Sequence, residues 1–209
     1  MNNKETFVKI IFSVTGVLII ALGAAILNVG QVGVDTYTAS NIAIGSLFGL
    51  SLGTYQFILN LIFLFFIFIF GRKYIGLGTL ITMVSIGFLI DYFTKLISHI
   101  VFFDLTLPFK ILSLIFGTMF FTFGVAFYIS ADLGVAPYDA ITLVITDYSH
   151  IQYKYIRMAQ DIIFMISALI FGGPVGVGTV INAFFNGPLI DLWYKKISNP
   201  LIRKITIKG

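Results

Sequence analysis

Gly176-Val177-Gly178-Thr179 repeats Gly76-Leu77-Gly78-Thr79 one hundred residues further on. The repetition extends in both directions. Downstream, Gly87, Ile90-Asp91, Lys95 and Ile97 return as Gly187, Ile190-Asp191, Lys195 and Ile197. Upstream, after a slip of one residue, Gly16, Gly23, Ala25, Gly33-Val34, Tyr37 and Ala39 return as Gly117, Gly124, Ala126, Gly134-Val135, Tyr138 and Ala140. The two copies cover about 11–97 and 112–197. The expected organisation is a first membrane repeat over 1–97, a linker over 98–108, a second repeat over 109–197 and a basic cytoplasmic tail over 198–209.

Composition places both copies in a bilayer. The 209 residues are 58% apolar and 11% charged, against about 45–50% and about 25% in soluble domains, and the mean hydropathy is +1.02. So few charges cannot cover the surface of a water-soluble globule. No cysteine is present, which removes disulfides, thiolate nucleophiles and Cys-ligated metals. Two histidines are too few for a His-rich metal site, and no metal or cofactor is expected. The basic residues that give a net charge of +4 sit at segment ends rather than in one stripe, so nucleic acid is not an expected partner.

Six stretches are long enough to cross, at ~17–25 residues each: 7–29, 54–70, 78–97, 109–130, 155–171 and 179–197. Two more, 37–50 and 137–148, are apolar but short, and fit half-helices. The first stretch has signal-peptide features in Lys4, Lys9 and Ala24-Ala25, but its membrane-embedded twin argues against cleavage. Three spans per copy is an odd number, so the copies should insert upside down relative to each other. The charges agree: Arg72-Lys73 has the bare twin Gly173-Pro174, and Lys154 and Arg157 answer a bare stretch in copy one. Only cytoplasmic loops favour Lys and Arg. The expected fold is all-α, with six transmembrane helices in two inverted three-helix repeats, each with a short broken helix after its first span, and both termini in the cytoplasm.

Leu133-Gly134-Val135-Ala136-Pro137-Tyr138-Asp139-Ala140, Gly176-Val177-Gly178-Thr179-Val180-Ile181-Asn182-Ala183 and Gly187-Pro188-Leu189-Ile190-Asp191 together resemble the hallmark stretches of the YczE/YyaS/YitT family, nearest its YczE-like branch. Copy one departs from the pattern at Asp35-Thr36, where copy two has Ala136-Pro137. The resemblance implies a multi-pass protein of the bacterial cell membrane. It implies no defined substrate, although transport is often proposed for such proteins.

Polar groups in hydrocarbon are costly and mark pathways, partners or sites. Arg157 and Asp161 are four apart and share a helix face, as do their twins Gln56 and Asn60. They either form a two-sided site near the repeat axis, or Arg157 snorkels and the pair neutralises itself. Pro137-Tyr138-Asp139 reads as the start of a short helix, either lining a substrate or simply capped. Asn182 and Asn186, again four apart, line a cavity or join helices by hydrogen bonds. The bland readings cover the rest. Gly76-Gly78-Thr79 and its twin make turns, Asp91 and Asp191 pair with Lys95 and Lys195, and the glycines at 16, 23, 117 and 124 pack helices. Gly49-Leu50-Ser51-Leu52-Gly53 matches a nucleophile elbow, with His99 and His150 available, but lacks the strand that motif needs. No catalytic residue is expected.

The function expected is a small-solute permease working by alternating access, with Arg157, Asp161, Gln56, Asn60, Pro137, Tyr138, Asp139, Asn182 and Asn186 as candidate binding residues. The alternative is a non-transporting membrane accessory protein that supports a synthesis, export or stress system. Expected partners are the lipid bilayer, a small solute, and a second copy or a membrane partner protein.

Overall fold

The computed structural model describes residues 3–101 and 105–207. Those residues form an all-α bundle: α1 (Asn3–Val29), α2 (Thr36–Leu47), α3 (Leu52–Phe70), a 3₁₀ turn (Arg72–Tyr74), α4 (Leu77–Ile100), α5 (Leu107–Ser130), α6 (Pro137–Ser149), α7 (Tyr153–Ile170), α8 (Val177–Trp193), a π turn (Tyr194–Ser198) and α9 (Asn199–Ile207). Among them α1 (from Glu5), α3, α4 and α5 are long and apolar enough to cross a membrane. α7 carries Lys154, Arg157, Gln160 and Asp161, and α8 stops after 17 residues. By length and composition, four of the six expected spans therefore stand out.

α1 and α5, twins of each other, pack face to face and run antiparallel. A Cβ on Gly16 would lie 2.9 Å from the Gly124 carbonyl oxygen, and one on Gly124 would lie 2.8 Å from that of Gly16. Gly23 and Gly117 repeat this reciprocity at 2.8 and 3.1 Å. The bare glycine faces let the two backbones touch, which is how small residues drive close helix crossings. α1 is thus part of the core, with Ala21, Ala24 and Ala25 fully buried.

The turn after each first span docks on the other copy. Gly33 and Gly134 both take positive φ, at +91° and +94°, a region in which only glycine is unstrained. Gly33 sits against Gly176 and Thr179, and Gly134 against Gly76 and Thr79. The Gly178 amide donates to the Val32 carbonyl at 2.7 Å, and the Gly78 amide donates to the Leu133 carbonyl at 2.7 Å. Thr79 Oγ1 accepts from Gly76 N at 3.0 Å and Thr179 Oγ1 from Gly176 N at 3.2 Å, which caps α4 and α8. α2 packs on α7 and α6 on α3, so each short helix lies against the second long helix of the other copy. Large apolar side chains such as Phe65, Phe66, Ile163 and Ile170 cover the perimeter, the side that faces lipid.

Candidate functional site

The short helices α2 and α6 enter the core N-terminus first, and their first turns meet at its centre. Tyr37 of α2 and Tyr138 of α6, twins in sequence, stack with ring centroids 4.2 Å apart. Two further twins, Phe63 and Phe164, set their edges to each other at 6.3 Å and pack on the tyrosines. Around this stack the hydrogen bonds are also paired: Tyr37 OH donates to Asn60 Oδ1 at 2.8 Å, and Tyr138 OH donates to Asp161 Oδ1 at 2.7 Å.

The charges break the pairing. Arg157 of α7 is 2% exposed, so it does not snorkel. Its Nε donates to Asp161 Oδ2 at 3.1 Å, its Nη1 donates to Asp139 Oδ1, and the guanidinium lies 4.8 Å from the Tyr138 ring centroid. Asp161 Oδ1 also accepts from Thr36 Oγ1, in the first turn of α2, at 2.8 Å. Asp139 Oδ2 accepts from Tyr128 OH, whose oxygen accepts in turn from the Ala136 amide at 3.3 Å. A buried guanidinium persists where carboxylates and hydrogen bonds compensate its desolvation, and this one has both. The N-termini of two helices add favourable potential for the carboxylates.

On the copy-one side Gln56 and Asn60 stand where copy two has Arg157 and Asp161. A cavity of about 40 Å³ lies between the copies, lined by Asp35, Thr38, Gln56, Asn60, Asp139 and Arg157 among others. Asp35 caps α2, its Oδ1 accepting from the Thr38 amide at 3.0 Å. Its Oδ2 and Gln56 Oε1 are buried with no hydrogen-bond partner. Asn182 and Asn186 are fully buried on α8 and neither amide finds a partner. They therefore do not join helices by hydrogen bonds to protein groups. Asn41 of α2 shares this condition.

Two mouths open at opposite ends of the bundle. A vestibule of about 630 Å³ lies at the end with α9 and the start of α1, and its lining includes Lys9, Lys73, Asp132, Tyr153, Ile190 and Arg203. Tyr153 lines it and also accepts from Arg157 Nη1 at 3.4 Å, joining vestibule to cluster. The opposite mouth is smaller, about 360 Å³, and is lined by Asn28, Val29, Gln31 and Thr94. These are the twins of Ile129, Ser130, Asp132 and Tyr194 in the large vestibule. Near the vestibule Lys73 pairs with Asp147 at 2.7 Å, and Tyr74 OH donates to the same carboxylate at 2.6 Å. Those two hydrogen bonds hold Asp147 below the usual carboxylate range.

Other sequence-level readings resolve individually. Lys195 pairs with Asp191 at 2.7 Å as expected. Asp91 does not pair with Lys95; its Oδ2 accepts from the Gly53 amide at 3.0 Å and so caps α3. Ser51 is also a cap, its Oγ accepting from the Thr54 amide at 3.3 Å. Among the described residues no group of three acidic or histidine side chains is placed to hold a metal. Asp35, Thr36, Tyr128 and Tyr153 were not singled out by sequence. The one available signal was Asp35-Thr36 replacing Ala136-Pro137 at the matching position.

Residues 7–195 match the model of a family of unknown function, DUF6198. The chain belongs to that family. It is similar to the uncharacterized membrane protein YczE of Bacillus subtilis (strain 168), at 27% identity over 90% of this chain and 86% of YczE. It is also similar to the uncharacterized protein YyaS of the same organism, at 25% identity over 90% of this chain and 94% of YyaS. An uncharacterized protein of Haemophilus influenzae is 26% identical over 59% of this chain and 55% of its own length. No solved structure matches. This member of the YczE/YyaS group is a membrane protein, with a polar cluster buried where its two copies meet.

Proposed function

We propose that this protein is a small-solute permease of the bacterial cell membrane, built as six spans in two inverted repeats that rock about the Tyr37–Tyr138 stack. The observation that carries the reading is Arg157, buried between Asp139 and Asp161 where the first turns of α2 and α6 converge. Permeases of inverted build bind substrates at this kind of place, at broken helices near the midplane. α7 and α8 serve as the fifth and sixth spans, since the polar side chains Arg157, Gln160 and Asp161 of α7 face inward. The antiparallel α1–α5 crossing supports the inversion. The end bearing Arg72, Lys73, Lys195, Lys196, Arg203 and Lys204 takes the cytoplasmic side by the positive-inside bias, which puts both termini there.

The unequal mouths support a conformation open toward the cytoplasm. The large vestibule reaches Tyr153 and through it Arg157, whereas the lining of the smaller mouth contains no residue of the cluster. A solute entering from the vestibule would meet Tyr153, then the guanidinium and its carboxylates, with Gln56 and Asn60 beyond. Pro137 and Tyr138 would shape the site, and Asn182 and Asn186 would offer unpartnered amides on the copy-two side.

The test is a thermal-shift screen of the detergent-purified protein against amino acids, amines, organic acids, sugars and nucleosides. A ligand that binds the folded state raises the melting temperature by mass action. The expected result is a hit that disappears in a folded Arg157→Gln, Asp161→Asn double variant. A panel without hits, combined with full function of the double variant in its host, would favour the accessory-protein alternative.

A further inference from the structure

The central cluster holds more negative than positive charge. Asp35, Asp139 and Asp161 are 2%, 5% and 1% exposed, and Arg157, at 2%, is the one buried cation among the described residues. Each of the two helix N-termini pointing at them contributes roughly +0.5. With all three carboxylates ionised, the cluster is left about one positive charge short. Charges in a low-dielectric interior are paired, neutralised by protonation or bound to an ion, so the cluster takes up either a proton or a cation from outside the protein.

The position of the gap follows from comparing the copies. In copy two the cation is tethered: Arg157 pairs with Asp139 and Asp161, and a Cβ added to Gly187 would lie 3.5 Å from the Arg157 Cβ. In copy one the matching residue is Gln56, which packs on the matching glycine, Gly87, and carries no charge. A cavity of about 40 Å³ adjoins both of them, lined by Asp35, Thr38, Gln56 and Asn60 from copy one and by Tyr138, Asp139 and Arg157 from copy two, above the ~10–15 Å³ that one water-sized occupant needs. Its lining contains two buried acceptor oxygens without partners, Asp35 Oδ2 and Gln56 Oε1, with Thr38 and Asn60 beside them.

We propose that this cavity binds one sodium-sized monovalent cation, held by Asp35 and Gln56. Two open oxygens and a free volume suit an ion better than a proton, which needs neither. One carboxylate with amide and hydroxyl neighbours suits a monovalent ion, because divalent ions collect several carboxylates or keep a water shell. The role of coupling ion rests on the permease reading; the binding site does not. Tyr37, Tyr138, Asp139 and Arg157 line the same cavity as Asp35.

The experiment measures melting temperature in detergent at pH 8 and constant ionic strength, without solute, replacing choline chloride stepwise by sodium, lithium or potassium chloride. Sodium is expected to give a saturable rise of about 5 °C over choline. Asp35→Asn keeps the helix cap, since Asn caps as well as Asp, and should abolish the rise while melting normally in choline. Gln56→Arg supplies a tethered cation against Gly87 and should abolish it as well, with a melting temperature in choline at or above that of wild type. Equal melting in all four salts overturns the site, as does a sodium response that survives in both variants. A solute hit lost in the Arg157→Gln, Asp161→Asn variant without any sodium response would leave the permease standing and remove the ion. A sodium response without any solute hit would keep the ion site and count against the permease.

Discussion

The two halves of this protein share a frame and differ in charge. Glycines 16, 23, 33, 76, 78 and 87 of the first half have twins at 117, 124, 134, 176, 178 and 187, and the threonine caps at 79 and 179 match. These residues make the helix crossings and the docked turns, so the duplicated part of the sequence is the part that builds the bundle. The residues around the axis have diverged. Gln56 and Asn60 face Arg157 and Asp161, Asp35-Thr36 faces Ala136-Pro137, and Thr82 and Ile86 face Asn182 and Asn186. The divergence leaves the charges of the cluster unevenly divided between the two halves, with the guanidinium on one side and a neutral amide on the other.

The largest expected effect comes from erasing the difference in one step. Arg157→Gln leaves the carboxylates of Asp139 and Asp161 buried without their cation. Breaking a buried pair in this way costs about 3–5 kcal/mol, read as a fall in chemical or thermal stability in detergent. Adding Asp161→Asn makes copy two resemble copy one at both positions and should recover a large part of that loss, a coupling that a double-mutant cycle measures directly. If the two changes simply add, the ion pair is not the organising contact described here.

The frame should respond symmetrically. Gly23→Val and its twin Gly124→Val each force a side chain into the opposing backbone, at 2.8 Å from the Gly117 oxygen and 2.8 Å from the Gly16 oxygen. Each should cost about 1–3 kcal/mol, with the two values close to each other. Thr79→Val and Thr179→Val should each cost about 1 kcal/mol through the lost cap. A large inequality within either pair would show that the halves do not share one frame.

The smallest effect lies at the vestibule rim, where Asp147 of copy two meets Lys73 and Tyr74 of copy one; the twin of Asp147 is Ser46. The carboxyl of Asp147 is depressed in the folded protein by its hydrogen bonds to Lys73 and Tyr74. Its contribution is therefore present above the ordinary carboxylate range and is lost as pH falls through the depressed value. Asp147→Asn should lower stability slightly at pH 7 and flatten the acid limb of the profile, and Ser46→Ala should change neither.

Much of the frame was legible in the sequence because glycine and threonine at fixed spacing encode backbone approach and capping, which are local. The short helices expected at 37–50 and 137–148 are α2 (Thr36–Leu47) and α6 (Pro137–Ser149). Arg157 and Asp161 stood out because charge in an apolar segment is conspicuous. Asp35 did not, because it precedes an ordinary short helix. Its place beside Arg157 and Asp161 exists only once α2 packs on α7 from the other copy. Asp91 misled for the same reason: Lys95 lies four residues along its own helix, but the Gly53 amide of α3 reaches the carboxylate first. The polar load that lowers the hydropathy of α7 is the chemistry itself, since Arg157, Gln160 and Asp161 all turn inward.

Opening of the two ends in turn is best tested at the twin positions Ile190 and Ile90. Both are buried deep in their helices, at 2% and 1% exposure, but Ile190 lines the large vestibule whereas Ile90 does not line the smaller mouth. Wild type contains no cysteine, so single Ile190→Cys and Ile90→Cys variants in oriented membrane vesicles can be followed with an impermeant thiol reagent. The prediction is fast labelling of Ile190→Cys from the side bearing the termini alone. Ile90→Cys should label slowly from the opposite side alone, well before the protein unfolds. Labelling of Ile90→Cys no faster than global unfolding would mean that the second end never opens, and would contradict alternating access.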